Sequence, residues 1–278
     1  MMLQWIDSHC HLDAPEFSAD RLAVLQRAQE VGVGHCVMPA VQAKDFEALQ
    51  IFANQVQQPY ALGIHPLYVP MAQEKDLQYL ENCIQTGEPG MVALGEIGLD
   101  FFVPALCEPS MREKQLFFYH AQLKLAEKYK LPVIVHVRKS ADELLRGLRR
   151  FHVQGGIAHA FNGSFQQAEA FIDLGFALGF GGACTFDRAL QLRRLATELP
   201  LTAIVLETDA PDIPPHWLYR TQTQRQWGVQ SRNEPIELPK IGAVVAQLRG
   251  LPIEVLADAT VNNAKRVLPQ LSFFIKNA

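Results

Sequence analysis

The sequence predicts an α/β fold, a (β/α)8 barrel of the TIM type, because eight short apolar segments alternate with longer segments of helical periodicity. Strands that are separated by helices pair in parallel, and eight strand–helix units close naturally into a barrel. The length of 278 residues is close to the roughly 250 residues of many such barrels. An open, doubly wound sheet is the alternative architecture, but the sequence contains no GxGxxG or Walker motif to favour it.

The eight predicted strands are apolar or β-branched runs that end in loops. They are expected at residues 3–9, 35–41, 59–66, 91–100, 131–138, 155–161, 175–182 and 202–211. Helices are expected from their apolar spacing at residues 20–31, 43–57, 72–86, 110–129, 140–150, 164–174, 187–199, 235–249 and 252–267. No shift in composition marks a second domain. Residues 1–278 are therefore predicted to form a single barrel domain with C-terminal closing helices.

The composition is typical of a globular cytoplasmic protein. Hydrophobic residues make up 49% and charged residues 19% of the chain, which is enough to form a core. The net charge of -4 does not suggest a basic nucleic-acid-binding protein, although it is compatible with a local basic patch. Five scattered cysteines without a CxxC motif fit a reducing compartment. Without a signal peptide or a long apolar run in the sequence, we expect a cytoplasmic protein that is not bound to membranes, and we favour a monomer.

Two histidines spaced by one residue follow the first predicted strand, in the segment IDSHCHLD at residues 6–13. Because successive side chains of a strand point to opposite faces, His9 and His11 are expected on one face together with Asp7. Cys10 is expected on the other face. An HxH pair alone is as compatible with ordinary buried histidines as with half of a metal site. Candidate ligands elsewhere in the chain therefore decide between these interpretations.

Polar residues end most of the other predicted strands as well, and the carboxyl ends of barrel strands form the face where active sites lie. The candidates at this face are His9, His11, His65, Glu96, His136, His159, Glu207 and Asp209. Separate burial of so many polar groups would be costly, so their convergence favours a metal site. Four histidines and two carboxylates from this set suit two divalent ions better than one tetrahedral zinc ion. The ligand types favour zinc or manganese, and magnesium is possible.

Seven short motifs of this chain carry a resemblance to a known family. They are IDSHCHLD (6–13), GIHP (63–66), GEIGLD (95–100), HVR (136–138), HAFNG (159–163), ETDAP (207–211) and RNEP (232–235). Together, and in this order, they resemble the TatD family of metal-dependent hydrolases, which are TIM barrels of the amidohydrolase superfamily. The resemblance implies a deoxyribonuclease that cleaves phosphodiester bonds with a metal-bound hydroxide.

The resemblance also implies a role for each candidate residue. The implied metal ligands are His9, His11, Glu96, His136, His159 and Asp209. Glu96 would bridge two ions, the first completed by His9, His11 and Asp209 and the second by His136 and His159. Asp209 would also accept a proton from the attacking water, so Asp209 and Glu96 are the implied catalytic residues. His65 and Glu207 would line the site and contact the substrate.

Two further residues are interpreted from spacing alone. Arg138 shares a predicted strand face with His136 and could bind a substrate phosphate as a bidentate donor. A solvated charge or a salt bridge to a site carboxylate is an equally good interpretation of Arg138. Asp7 is predicted to orient a ligand histidine through the second nitrogen of its ring.

The sequence departs from the family pattern at two places. Phe101 and Phe102 stand where the family often has tyrosines, and Asn162 stands where threonine is usual. The loss of two hydroxyl groups weakens any argument from the nucleic-acid contacts of the family. The metal ligands themselves match.

A loop at residues 211–234 combines the aromatic and basic residues that grip single-stranded nucleic acids. They are Trp217, Tyr219, Trp227, Arg220, Arg225 and Arg232. The expected substrate is DNA or a small phosphodiester or ester. The alternative function is a binuclear-metal hydrolase of a small-molecule ester, amide, lactone or phosphoester, which the negative net charge and the two phenylalanines favour. A protein that keeps metals only for stability is disfavoured, because a structural metal site needs no bridging carboxylate.

Overall fold

The computed structural model describes residues 3–87, 90–226 and 232–275. Its strands are β1 (Trp5–Asp7), β2 (Val33–Cys36), β3 (Met38–Pro39), β4 (Tyr60–Leu62), β5 (Met91–Asp100), β6 (Val133–Arg138), β7 (Gly156–His159), β8 (Phe176–Phe180) and β9 (Ile204–Leu206). Its α-helices are α1 (Arg21–Glu30), α2 (Phe46–Val56), α3 (Glu74–Thr86), α4 (Pro109–Tyr129), α5 (Ala141–Arg150), α6 (Phe165–Asp173), α7 (Leu190–Glu198), α8 (Gln222–Gln226), α9 (Leu238–Arg249), α10 (Ile253–Val267) and α11 (Leu271–Ile275). Each predicted strand and helix has a counterpart, with the second predicted strand divided into β2 and β3. The short helices α8 and α11 were not predicted.

Contacts between Cα atoms divide the chain into two compact units. The first unit contains Met1–Val37 and Gly179–Ala264, and the second contains Met38–Leu178 and Lys265–Ala278. A single domain over the whole chain stays a prediction. In the described part of the chain, none of the helices combines the length and the apolar character needed to cross a membrane.

The second unit is built on a parallel sheet in which strands β3 to β8 follow one another in chain order. All residues of β5 are buried, as expected of a parallel strand that is covered on both faces. Helix α4 holds the strand ends through two buried glutamines. The Gln115 Oε1 atom accepts a hydrogen bond from the Asp100 amide at 2.9 Å, and the Gln122 Oε1 atom accepts one from the Ile64 amide at 2.7 Å. These bonds anchor the backbone next to several candidate site residues.

The first unit contains a parallel β1–β2 pair, and the segment after β1 is hydrogen-bonded to the end of β9. The Ser8 amide donates to the Leu206 carbonyl at 3.0 Å, which joins these two strand ends. Helix α9 packs against Trp5 of β1 at Gly242, where a Cβ atom would approach the indole ring to 2.7 Å. The close approach of α9 to β1 therefore requires glycine at this position.

Strands β1 and β9 end earlier than predicted, at Asp7 and Leu206. The strand alternation that is expected to align His9 with His11 therefore does not extend to these residues. Asp209 has a left-handed backbone with a φ of 55°. Backbone hydrogen bonds nevertheless continue past the strand ends, because the Asp209 amide donates to the His9 carbonyl at 2.9 Å and the His11 amide to Ala210 at 2.8 Å. These bonds, and not strand periodicity, set the positions of the two histidines.

Candidate active site

Three of the predicted ligands meet within the first unit, and we name His9, His11 and Asp209 the His9 cluster. The Nε2 atoms of the two histidines are 3.2 Å apart, and Asp209 Oδ1 lies 3.6 Å from each of them. Two ligand atoms of a tetrahedral zinc ion, each about 2.1 Å from the metal, are about 3.4 Å apart. The His9 cluster therefore has the spacing of three ligands to one divalent cation.

Asp7 supports the His9 cluster from a fully buried position. Its carboxylate accepts hydrogen bonds from the His9 amide at 3.3 Å, from the Thr208 amide at 2.9 Å and from the Thr208 hydroxyl at 2.5 Å. Burial raises the pKa of Asp7 to about 7, although the hydrogen bonds from Thr208 oppose the shift. The prediction that Asp7 orients a histidine through its ring nitrogen is wrong. The carboxylate holds the backbone on either side of the cluster instead.

Asn233 of the RNEP motif gives the His9 cluster a second support that sequence reasoning missed. Its buried amide nitrogen donates to the carbonyl of Thr208 at 2.7 Å and to that of Asp212 at 2.8 Å, on both sides of Asp209. The predicted nucleic-acid contact Arg232 is a bidentate partner of Asp20, with both distances 2.8 Å. The motif thus ties the segment after β9 to the N-cap residue of helix α1.

Four predicted site residues meet within the second unit, and we name Glu96, His65, His136 and His159 the Glu96 cluster. Glu96 Oε1 lies 2.9 Å from His136 Nδ1 and 3.3 Å from His65 Nε2. A ring nitrogen of His159 lies within 4.8 Å of a Glu96 carboxylate oxygen. His159 is also the partner of His136 in the register of strands β6 and β7. The donors of this cluster, imidazole and carboxylate, could hold a divalent cation.

Asp100, at the end of β5, extends the Glu96 cluster and was not among the predicted site residues. Its Oδ2 atom lies 3.3 Å from His136 Nε2 and 3.7 Å from a guanidinium nitrogen of Arg138. Burial would raise the pKa of Asp100, but hydrogen bonds from His136 and from two backbone amides lower it to about 2. Burial likewise opposes charge on His136, yet the contacts with Asp100 and Glu96 raise the pKa of its imidazole. A spacing of four residues from Glu96 along one strand was the signal that could have identified Asp100.

The His65 ring has a polar contact at each of its two nitrogens. Its Nδ1 atom accepts a hydrogen bond from the Leu67 amide at 3.1 Å. A ring nitrogen that accepts carries no proton, so the proton of the neutral imidazole lies on Nε2. The Nε2 hydrogen therefore faces Glu96 Oε1, 3.3 Å away, and the contact of His65 with a substrate stays a prediction.

Arg138 and His136 both contact Asp100, which agrees with their predicted position on one strand face. The Arg138 guanidinium also lies 4.0 Å from the centre of the Phe102 ring. The Arg138 side chain is 47% exposed, so the salt-bridge interpretation does not close off its access to a substrate.

Glu207 and the loop after β9 complete the predicted residues. Glu207 is buried against Gly179, where a Cβ atom would collide with its carboxylate. In the loop, Trp217 donates its indole hydrogen to Glu237 at 2.7 Å, and Tyr219 packs edge-on against Phe186. Trp227 and the side chain of Arg225 lie outside the described residues.

Comparison with known proteins identifies the family of this chain. A family model described as TatD related DNase matches residues 6–269. A protein of Escherichia coli strain K12 named uncharacterized metal-dependent hydrolase YjjV is 39% identical over 95% of this chain and 97% of its own length. The human protein named deoxyribonuclease TATDN3 is 29% identical over 98% of this chain and 97% of its own length.

Solved structures confirm the predicted fold class, α/β of the TIM-barrel type. The crystal structure of YjjV, described as a TatD homologue, has a TM-score of 0.87 and 37% identity, and the match covers 97% of this chain and 99% of that one. An amidohydrolase structure from Saccharomyces cerevisiae shares the fold at a TM-score of 0.79 and 17% identity, over 95% of this chain and 99% of that one. The chain therefore belongs to the TatD family and is an enzyme of the metal-dependent hydrolase class.

Proposed function

We propose that this hydrolase cleaves phosphodiester bonds and that its substrate is DNA. The observation that carries the proposal is the convergence of two imidazole nitrogens and a carboxylate oxygen at 3.2 and 3.6 Å in the His9 cluster. The name of the human relative and the description of the family support DNA as the substrate.

Two divalent cations per chain are proposed, one for each cluster. Both clusters offer imidazole and carboxylate donors and no thiolate, a set that suits zinc or manganese and allows magnesium. A bound cation of this kind polarises a phosphoryl oxygen and lowers the pKa of water. The bridging role that the family resemblance assigns to Glu96 stays a prediction.

Four residues of the chain have proposed roles in catalysis and substrate binding. Asp209 is the proposed acceptor for the proton of the attacking water, and its side chain is 15% exposed and thus accessible to solvent. His65 is proposed to contact the substrate beside Glu96, whose Oε1 atom lies 3.3 Å from His65 Nε2. Arg138 is proposed to bind the phosphate, and Glu207 to line the site.

Hydrolysis of single-stranded DNA and of bis-p-nitrophenyl phosphate by the metal-reconstituted protein tests the proposal, with Glu96→Ala as the control. We expect the wild-type protein to cleave both substrates and the variant to lose both activities while it keeps its melting temperature. Cleavage of DNA by the Glu96→Ala variant would point to a contaminating nuclease and contradict the proposed site.

The second candidate function is hydrolysis of a small ester, amide, lactone or phosphoester by the same metal site. It is favoured by the net charge of -4 and by Phe101 and Phe102 in place of family tyrosines. A substrate panel decides between the two: turnover of a small ester or lactone without cleavage of DNA would replace the nuclease proposal.

The location and assembly of the protein belong to the same proposal. All five cysteines are free thiols, as a reducing compartment preserves them. We propose that the protein is cytoplasmic and monomeric. Light scattering of the purified protein tests the monomeric state.

A further inference from the structure

The second unit contains a cavity of about 330 Å³ next to the start of helix α5. This volume lies at the small end of the range of about 300–1,000 Å³ for ligand pockets. Phe101 and Asn162, at which the sequence departs from the family motifs, both line this one cavity. The cavity is therefore a place where this chain differs chemically from the family pattern.

Two cations line the cavity, each held by an aromatic ring. The Arg112 guanidinium lies 3.9 Å from the centre of the Phe101 ring, and Lys139 Nζ lies 4.9 Å from that of Phe102. Within residues 3–87, 90–226 and 232–275, the structure records no carboxylate partner for either cation. A cation–π contact positions a cation without neutralising its charge. Both charges are thus available to an anion in the cavity.

Two carboxylates also line the cavity, and one oxygen of each has a protein partner. Asp142 Oδ1 accepts a hydrogen bond from the Gln167 side-chain amide at 2.7 Å, and Glu143 Oε2 pairs with Arg146 at 2.7 Å. Arg146 offsets the charge of Glu143, whereas the neutral amide of Gln167 leaves the charge of Asp142 in place, so the two cations exceed the remaining carboxylate by one charge. The balance at the cavity therefore favours an anionic ligand over a cationic one.

The start of helix α5 also borders the cavity. The Ser140 hydroxyl donates to the Leu99 carbonyl at 2.6 Å and accepts from the Arg138 amide at 3.2 Å, so it does not cap the helix. Helix amides without a side-chain cap carry partial positive charge, but Asp142 and Glu143 in the first turn oppose it. The two cations are therefore the source of the positive potential.

The cavity is connected to the proposed phosphate-binding residue through one aromatic ring. Arg138 and Lys139 both lie over Phe102, at 4.0 and 4.9 Å. Arg138 in turn lies 3.7 Å from Asp100, which contacts the Glu96 cluster. Arg138 and the cavity-lining Lys139 are thus neighbours in the chain that share one aromatic ring.

We propose that this cavity is a phosphate subsite, in which Arg112 and Lys139 bind a phosphate of the DNA strand next to the one that is cleaved. The subsite rests on the proposed function for the identity of its ligand. The tyrosine hydroxyls of the family pattern are replaced here by rings that position cations, so this chain binds the flanking phosphate by charge. Asn162 supplies a neutral amide at the same wall.

Binding of a labelled oligonucleotide to the metal-loaded protein tests the subsite. The probe is fluorescein-labelled octathymidylate with phosphorothioate linkages, which resist cleavage, and the readout is fluorescence anisotropy at several salt concentrations. We expect Arg112→Gln/Lys139→Gln to raise the Kd by about tenfold or more, because the variant cannot form these charge-assisted hydrogen bonds. The slope of log K against log salt should become shallower by about 0.7, because the variant neutralises one phosphate fewer.

The matched control is Arg149→Gln/Arg150→Gln, which removes the same net charge at the other, exposed end of helix α5. We expect this variant to bind as the wild-type protein does. An equal loss of affinity in both double variants, an unchanged Kd in the first, or no saturable binding by the wild-type protein would overturn the subsite.

Cleavage of unmodified octathymidylate by the wild-type protein separates the subsite from the proposed function. Binding that depends on Arg112 and Lys139 without any cleavage would keep the anion subsite and reject the nuclease. Cleavage together with an unchanged Kd in the double variant would keep the nuclease and reject the subsite.

Discussion

The two clusters of candidate ligands are positioned by different means. In the His9 cluster, backbone groups carry the support: Asp7 binds the amides of His9 and Thr208, and Asn233 binds two carbonyls around Asp209. In the Glu96 cluster, side chains support one another, since His136 lies between Glu96 and Asp100 at 2.9 and 3.3 Å.

The difference indicates how each cluster should respond to change. A cluster held by its backbone depends on the segments that carry it, so removal of a supporting side chain should affect stability together with metal binding. A cluster held by charged side chains depends on those charges, so removal of one carboxylate should affect metal affinity with little change in the fold. Variants of each cluster can separate these two responses.

The largest effect is expected at Asp209, the proposed proton acceptor of the His9 cluster. Asp209→Asn keeps the shape of the side chain but removes its basicity, so kcat on bis-p-nitrophenyl phosphate should fall by about 10²–10⁴-fold. The melting temperature should stay unchanged. The control is Asp258→Asn, at an exposed position of helix α10, and its kcat should equal that of the wild type. Wild-type kcat in Asp209→Asn would contradict the assignment.

The second effect concerns Asp100 and the Glu96 cluster. Asp100→Asn removes the negative charge beside His136 Nε2, so we expect a loss of about 10–100-fold in affinity for one equivalent of metal, measured by titration calorimetry. The other equivalent should bind as before. The matched control is Asp173→Asn at the exposed end of helix α6. An equal loss for both equivalents would show that the clusters do not respond separately.

The third effect tests the backbone support of the His9 cluster. In the wild-type protein, the side-chain amide of Asn233 donates to the carbonyls of Thr208 and Asp212 at 2.7 and 2.8 Å. Asn233→Ala removes this donor from both carbonyls. The free energy of unfolding should fall by about 1–3 kcal/mol, measured by denaturant titration. Asn262→Ala, on the exposed side of helix α10, is the control. Unchanged stability in Asn233→Ala would show that this residue does not support the cluster.

The smallest effect concerns the ion pair between Asp20 and Arg232. The hydrogen bond from Arg232 lowers the pKa of Asp20 from 3.8 to about 2. A carboxyl with a lowered pKa stabilises the folded state above its unfolded pKa and loses that contribution as the pH falls through its folded pKa. The melting temperature of Asp20→Asn should therefore lie below that of the wild type at neutral pH, and the difference should narrow below about pH 4. A difference that is constant over this range would exclude the ion pair as its cause.

Much of the fold follows from local patterns in the sequence. A strand such as β5, buried along its whole length, must be apolar, and the intervening helices must place apolar residues on one face. These requirements leave a periodic signal, so the order of strands and helices and the candidate ligands at the strand ends could be predicted. The exact strand ends could not, because strand β1 stops at Asp7 while hydrogen-bonded backbone continues to His11.

The sequence by itself determined the fold class, the order of its elements and the chemical types of the candidate metal ligands. Only the tertiary structure decided that Asp7 binds Thr208, 201 positions away, that Asp100 lies beside His136, and that Leu67 sets the proton of His65 on Nε2. The physical reason is that a side-chain hydrogen bond forms only when the distance between donor and acceptor is correct to within a few tenths of an ångström. Packing of distant segments sets those distances, and such packing leaves no periodic trace in the sequence.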